Sequence, residues 1–172
     1  NDGIIRPMYI HMRNKYYAQQ GFNVTVLNFD TNQNYYYEDI KVISLETYKD
    51  DKSNYEFDIL VSHAPNIRNH YRFLKKYGNI FPKLVFIFHG HEVLRASTVY
   101  PKPFKWKKKS SPARIIIQDL YDLFKLNIWK NYFTKVTYKA HFIFVSKWMY
   151  CEFIKNTKID PMILKNKYTI IY

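Results

Sequence analysis

The fold of this chain is decided by the stretch Lys83-Leu84-Val85-Phe86-Ile87-Phe88-His89-Gly90-His91-Glu92. Its first part is a short, almost continuous apolar run rich in β-branched and aromatic residues, a pattern typical of a strand buried on both faces. Such strands occur mostly in parallel sheets that are covered by helices. The stretch therefore predicts a strand over residues 83–88 that ends directly at two histidines and a glutamate.

Further strands and helices are predicted on both sides of this stretch from the same kind of local pattern. Strands are predicted over residues 23–29, 39–45, 57–62, 141–145 and 168–172, with a loop over residues 31–38. Helices are predicted over residues 6–20 and 67–77, from Ser110 or Ser111 toward Lys139, and from Ser146 through Ile154. Strands that alternate with helices in this way specify an α/β fold, with a Rossmann-like parallel sheet and helices on both faces.

Two of the predicted helices have apolar patterns that bear on packing. In the first helix, apolar residues recur at helical spacing and are expected to face a sheet; they are Ile5, Met8, Met12 and Tyr16. In the long helix after Pro112, apolar residues cover more than one side, so this helix is expected to be wedged between neighbours or to meet a partner. The residues concerned include Ile116, Leu120, Leu123, Leu126 and Phe133.

Length and composition favour one folded domain. The chain has 172 residues, of which 47% are hydrophobic, and it contains 17 Tyr and 13 Phe, a composition that excludes a disordered chain. No run approaches the roughly 20 apolar residues that a membrane-spanning helix needs. The single cysteine, Cys151, permits no internal disulfide and fits a reducing compartment, so we expect a cytoplasmic protein.

The charge of the chain points to an anionic partner. Lys and Arg number 27 against 14 Asp and Glu, which gives a formal net charge of +13. Nucleic acids, anionic lipid headgroups and phosphorylated small molecules are all attracted by such a charge, and the charge alone does not choose among them.

A basic and aromatic segment precedes the long helix and is predicted to be an exposed loop. Its residues suit contact with an anionic membrane, because Trp favours the interface and lysines favour anionic headgroups. We expect this contact from Lys105, Trp106, Lys107, Lys108 and Lys109. The alternative is a solvated loop, which is what most lysine runs are.

Six segments, taken in order, carry a resemblance to a known family. They are Asn1-Asp2-Gly3 with Arg6, Gly21-Phe22-Asn23-Val24-Thr25-Val26, Phe57-Asp58-Ile59-Leu60-Val61-Ser62-His63, Val85 to Glu92, Ala140 to Met149, and Lys167 to Tyr172. Together they resemble the N-terminal domain of the family 4 glycosyltransferases, whose GT-B fold has two Rossmann-like domains facing each other across a cleft.

The resemblance implies both an activity and a place in a larger enzyme. It implies retaining transfer of a sugar from a nucleotide-sugar donor to a lipid-linked or saccharide acceptor, in cell-surface polysaccharide synthesis and without a metal or other cofactor. It also implies that this chain is the acceptor-side domain only, lacking a first strand before Asn1 and a donor-binding domain after Tyr172. We expect such a fragment to be inactive alone.

Three candidate site residues follow strands of the predicted sheet. His89 leaves the carboxyl end of its strand, where ligands of open α/β sheets collect, and the resemblance places the matching histidine beside the transferred sugar. His63 ends its own strand and is a candidate on the acceptor side, while Glu92 is a candidate for a sugar hydroxyl. For both histidines the alternative is a structural role in the core, and for Glu92 it is a solvent-facing position.

Three further residues are predicted to lie near helix N-termini, which favour anions. The resemblance assigns Gly3 and Arg6 to the donor phosphate, although Gly3 is alternatively an ordinary turn glycine and Arg6 a surface residue of the first helix. Ser146 is a candidate for the acceptor, but its hydroxyl is better suited to cap the helix that follows it.

Two other functions are compatible with parts of the sequence. A basic, aromatic-rich domain can bind single-stranded nucleic acid, but no recognisable nucleic-acid-binding motif is present, so no nucleic acid partner is expected. His89, His91 and Glu92 form a His-x-His pattern with a carboxylate, which can supply three ligands to a metal ion in a hydrolase. We do not expect a metal, because these residues leave a strand for a loop and no further cluster completes the ligand shell.

Overall fold

The computed structural model describes residues 8–51, 55–99 and 111–171. The chain divides into two compact units, with the boundary between Glu56 and Phe57. Several predicted site residues lie outside the described residues: Gly3, Arg6, Lys105, Trp106, Lys107, Lys108 and Lys109.

The first unit combines two helices with a small mixed sheet. Its elements are α1 (Met8–Gln19), β1 (Thr25–Asn28), β2 (Tyr35–Tyr37), β3 (Ile40–Ser44) and α2 (Leu45–Asp50). The strands lie in the order β1-β3-β2, with β1 parallel and β2 antiparallel to β3. Ser44 caps α2, since its hydroxyl accepts a hydrogen bond from the Thr47 N–H.

Strand β2 corrects the prediction of a loop over residues 31–38. Its three tyrosines show no polar and apolar alternation, which is why the pattern did not indicate a strand. The hairpin to β3 is closed by Glu38 and Asp39, both with positive φ, at 44° and 68°. Hairpins of this length need positive φ at both turn residues and usually place Asn or Gly there, so Glu-Asp gave no recognisable signal.

Helix α1 does not bury the apolar stripe that the sequence predicts. Met8, Met12 and Tyr16 are all exposed, whereas His11 is buried. The His11 ring lies edge-on to Tyr37 at 4.6 Å, and its Nε2 is 3.3 Å from the Glu38 carboxylate. The helix is therefore oriented by polar and aromatic contacts to the β2–β3 hairpin, and its apolar spacing misled the prediction.

The second unit confirms the predicted α/β fold with a parallel sheet. Its strands are β4 (Ile59–His63), β5 (Lys83–Phe88), β6 (Ala140–Phe144) and β7 (Tyr168–Ile170), in the order β4-β5-β6-β7 and all parallel. Its α-helices are α3 (Arg72–Tyr77), α4 (Ala96–Val99), α5 (Pro112–Val136) and α6 (Lys147–Thr157). Shorter turns of helix occupy Ile67–Tyr71, Gly78–Ile80 and Pro161–Leu164.

The core of this unit is aromatic and lies between the sheet and two helices. Phe86 and Phe88 of β5 point to the same side, because side chains alternate along a strand. Phe133 of α5 lies 5.0 Å from Phe86, and Phe153 of α6 lies 5.1 Å from Phe88, measured between ring centroids. All four side chains are fully buried, so these contacts hold α5 and α6 against one face of the sheet.

None of the described helices is both long enough and apolar enough to cross a bilayer.

Candidate functional site

The structure brings together the two histidines that the sequence places at strand ends. His63 is the last residue of β4 and pairs in register with Ile87 of β5, and His89 directly follows β5. The two imidazole rings are 6.1 Å apart between centroids and nearly parallel, with 22° between their planes. His63 is buried and His89 is half-buried. Because each stands at the carboxyl end of its strand, the pair lies at the carboxyl edge of the sheet.

No family model, curated protein or solved structure matches this chain. The function of the chain is therefore inferred from its sequence motifs and from the geometry of these strand ends.

The loop that follows His89 is held by a hydrogen bond to the carboxylate of Glu92, which belongs to the same loop. The Gly90 N–H donates a hydrogen bond of 2.6 Å to Glu92 Oε2, and the Val93 N–H donates to the Gly90 carbonyl at 3.2 Å. Glu92 is buried, with 8% of its surface exposed, so the solvent-facing alternative is wrong. This geometry gives Glu92 a role in fixing the loop, and its binding of a sugar hydroxyl stays a prediction.

An ion pair on α5 holds the same loop, and it was not predicted from the sequence. Lys125 Nζ donates to Asp122 Oδ1 at 2.8 Å and to the carbonyls of His91 and Leu94 at 3.0 and 3.1 Å. Asp122 Oδ2 accepts from the Ala96 N–H at 2.8 Å. Both charged side chains are buried. An acid and a lysine three residues apart within an apolar stretch of helix were the available signal.

A serine stands at the end of the next strand. Ser146 follows β6 and is the N-cap of α6, where its hydroxyl accepts a 3.1 Å hydrogen bond from the Met149 N–H. The interpretation of Ser146 as a helix cap is confirmed. Its contact with an acceptor stays a prediction, since the cap already uses one lone pair of the hydroxyl.

A third histidine lies on the helical segment after β4. His70 Nδ1 accepts a 3.4 Å hydrogen bond from the Asn66 N–H. This nitrogen must therefore carry no proton, so the imidazole is neutral. Burial lowers the pKa of His70 from 6.5 to about 4, because a charged imidazole is poorly solvated there. At neutral pH His70 therefore stabilises the start of this segment as an uncharged acceptor.

The arrangement does not assemble a metal site in the part of the chain that the structure describes. Across residues 8–51, 55–99 and 111–171, no three His, Cys, Asp or Glu side chains are grouped closely enough to hold a metal ion. The hydrolase alternative needs such a group at His89, His91 and Glu92. Instead, Glu92 turns back to Gly90 while His91 is exposed.

A pocket of about 470 Å³ lies at a different edge of the sheet. It is lined by Tyr150, Pro161, Met162, Lys165, Asn166 and Tyr168. Tyr168 is the first residue of β7 and pairs with Phe142 in the middle of β6, so this pocket lies beside the outer strand β7, away from β4 and β5, whose ends carry the histidines. The candidate site is accordingly His63, His89 and the loop that Glu92, Asp122 and Lys125 hold in place.

Proposed function

We propose that this chain is the acceptor-side domain of a retaining glycosyltransferase that transfers a sugar from a nucleotide-sugar donor to a lipid-linked or saccharide acceptor. The observation that carries the proposal is the near-parallel pair His63 and His89, 6.1 Å apart at the ends of neighbouring parallel strands. Ligands of open α/β sheets bind at this edge, and a neutral imidazole both donates to and accepts from a sugar hydroxyl.

The proposal gives each residue of the site a distinct task. His89 contacts the transferred sugar, and His63 contacts the acceptor from the adjacent strand. Glu92 and the buried pair Asp122 and Lys125 hold the loop after β5, so that His89 is fixed before substrate binds. A site held in this way lowers the cost of ordering it in the transition state.

Other parts of the proposal are supported by the sequence resemblance alone. Contact of Gly3 and Arg6 with the donor phosphates belongs to these, as does a second, donor-binding domain that completes a GT-B fold. Retention at the anomeric carbon is likewise supported by the resemblance alone. A cytoplasmic location, peripheral to the inner face of the plasma membrane, is also part of the proposal, and its support is the single Cys151 and the basic segment of residues 105–109.

Replacement of His89 tests the proposed function in the complete enzyme, which also contains the proposed donor-binding domain. The readout is release of nucleoside diphosphate from a panel of nucleotide sugars, with lipid-linked and free saccharide acceptors. We expect His89→Ala to lower turnover by about 10²–10³, the usual effect of removing one positioned polar contact to a transition state. His91→Ala is the matched control, because His91 lies in the same loop but is exposed.

Near-normal turnover in a folded His89→Ala variant would overturn the assignment. So would an equal loss in His91→Ala, since an exposed neighbour has no reason to share the effect.

A further inference from the structure

The second half of helix α5 packs as a surface helix ordinarily does. Its inward side is apolar and fully buried; the residues are Leu126, Trp129, Phe133 and Val136. The opposite side is polar and exposed, with Asn127, Asn131 and Thr134. This arrangement, apolar inside and polar outside, is what a helix on a sheet requires.

The first half of the same helix is arranged the other way round. Its inward side carries Asp122 and Lys125, which bind each other and the backbone of residues 91–96, and Gln118 Nε2 donates to Asp122 Oδ1 at 3.1 Å. The outer side is apolar, with exposed fractions between 49% and 67%. Its residues, which we name the outer apolar face, are Ile116, Ile117, Leu120, Tyr121, Leu123 and Phe124.

The outer apolar face is continuous. Residues three and four apart are neighbours on a helix, so Ile116, Leu120 and Leu123 form one row, and Ile117, Tyr121 and Phe124 form the adjacent row. Isolated exposed apolar side chains are ordinary, but six large ones in one stripe mark an interaction surface. A rotation of the helix could not bury these residues without cost. It would turn Asp122 and Lys125 outward and break their buried ion pair.

The charge of the sequence just before this helix indicates what the outer apolar face meets. The residues that lead directly into the helix contain five lysines, at positions 102, 105 and 107–109, and Arg114 is exposed on the first turn of α5. Anionic lipid headgroups attract such clusters, at about 1 kcal/mol for each lysine near the surface. Two copies of a chain with a net charge of +13 repel each other, which disfavours a second copy as the occupant.

We propose that the outer apolar face of α5 inserts into the surface of an anionic lipid bilayer, with the helix lying in the plane of the interface. Amphipathic helices of this kind combine a buried apolar face with electrostatic attraction to anionic lipids. The inference does not depend on the glycosyltransferase proposal, because it uses only the exposed stripe and the neighbouring charges. The same turns of α5 would then face lipid on their outer side and hold the loop after His89 on their inner side.

Vesicle sedimentation of the 172-residue chain tests the proposal. Wild type is mixed with vesicles of phosphatidylcholine alone, or of phosphatidylcholine with phosphatidylglycerol, and the bound fraction is measured. We expect strong binding to the second kind of vesicle and weak binding to the first. The triple variant Ile117→Ser, Leu120→Ser and Phe124→Ser should lose about tenfold to a hundredfold in partitioning, since it removes three large apolar side chains from the inserted face.

The matched control changes the exposed side of the second half of α5 instead of the first half. Asn127→Ser, Asn131→Ser and Thr134→Ser are exposed polar positions, so this variant should bind vesicles as wild type does. Circular dichroism and thermal melts check that both variants fold, which is expected because serine has a helix propensity close to those of isoleucine and phenylalanine.

Three outcomes would overturn the proposal. The first is absence of wild-type binding to vesicles that contain phosphatidylglycerol. The second is equal binding of the folded triple variant and wild type. The third is a stable wild-type dimer in sedimentation velocity that the triple variant dissociates, because this would assign the outer apolar face to a second copy of the chain.

Discussion

The two halves of helix α5 are built from similar residues and have opposite surroundings. Both are rich in large apolar side chains, yet Phe133 is fully buried whereas Phe124 is 61% exposed. The difference lies in what the inward side of each half carries. Asp122 and Lys125 find partners in the backbone of the loop after β5, and they lie on the same side of the helix as the buried Trp129 and Phe133. Because α5 is one continuous helix, that side faces inward along its whole length, and the large apolar residues on the opposite side of the first half stay exposed.

The largest expected effect compares the same residue type in the two halves. We expect Phe133→Ala to lower the free energy of unfolding by about 3–5 kcal/mol, since it leaves a cavity among the buried rings. Phe124→Ala should change it by less than about 0.5 kcal/mol. Urea denaturation of both variants measures the difference, and similar costs would mean that the first half of α5 is packed after all.

The buried pair gives the next comparison. We expect Asp122→Ala to cost about 3 kcal/mol, because it leaves the Lys125 charge buried without its carboxylate. The control is Lys155→Ala, which breaks an acid–lysine pair of the same i,i+3 spacing on α6 with an exposed lysine, and it should cost no more than about 0.5 kcal/mol. Equal midpoints for the two variants in chemical denaturation would contradict a structural role for Asp122.

A smaller effect is expected from the lysines before the exposed half. Serine in place of the four lysines Lys105, Lys107, Lys108 and Lys109 should weaken binding to vesicles containing phosphatidylglycerol at least about tenfold, given about 1 kcal/mol per lysine at an anionic surface. A variant with four exposed lysines changed elsewhere is the control: Lys75, Lys76, Lys147 and Lys165 to Ser. If the two variants bind equally, the segment contributes only through net charge.

The smallest expected effect concerns the serine caps of two helices. Ser146 caps α6, whose Phe153 is in the core, so Ser146→Ala should lower the free energy of unfolding by about 1 kcal/mol. Ser111 caps the exposed half of α5 with a longer hydrogen bond of 3.3 Å. Ser111→Ala should instead increase hydrogen exchange in the first turn with little change in global stability. An equal loss of global stability in both would show that the first half of α5 unfolds with the core.

The parallel sheet of the second unit was predictable from the sequence. Strands β4 to β7 agree with the predicted runs to within two residues at each end, because short apolar runs bounded by turns have few other structures available. Ser146 was predictable as a cap for a similarly local reason. His63 and His89 were each predictable as strand-end residues, although their distance from one another was not.

The features that the sequence did not determine have two kinds of cause. The hairpin of β2 was missed for a local reason, since Glu38 and Asp39 are unusual turn residues. The burial of His11 in place of the Met8 and Met12 stripe, and the polar inward side of the first half of α5, depend on groups far along the chain.

By itself, the sequence therefore determined where the four strands and the helices α3, α5 and α6 of the second unit form, and which residues end the strands, since those properties follow from local pattern and backbone preference. Only the tertiary structure decided that the rings of His63 and His89 lie side by side and that Lys125, 31 residues from Leu94, holds its carbonyl. The physical reason is that a helix with apolar residues on more than one side has several ways to pack. The choice among them depends on both the apolar core of the second half and the buried charges of the first half, which must find hydrogen-bonding partners wherever in the chain those lie.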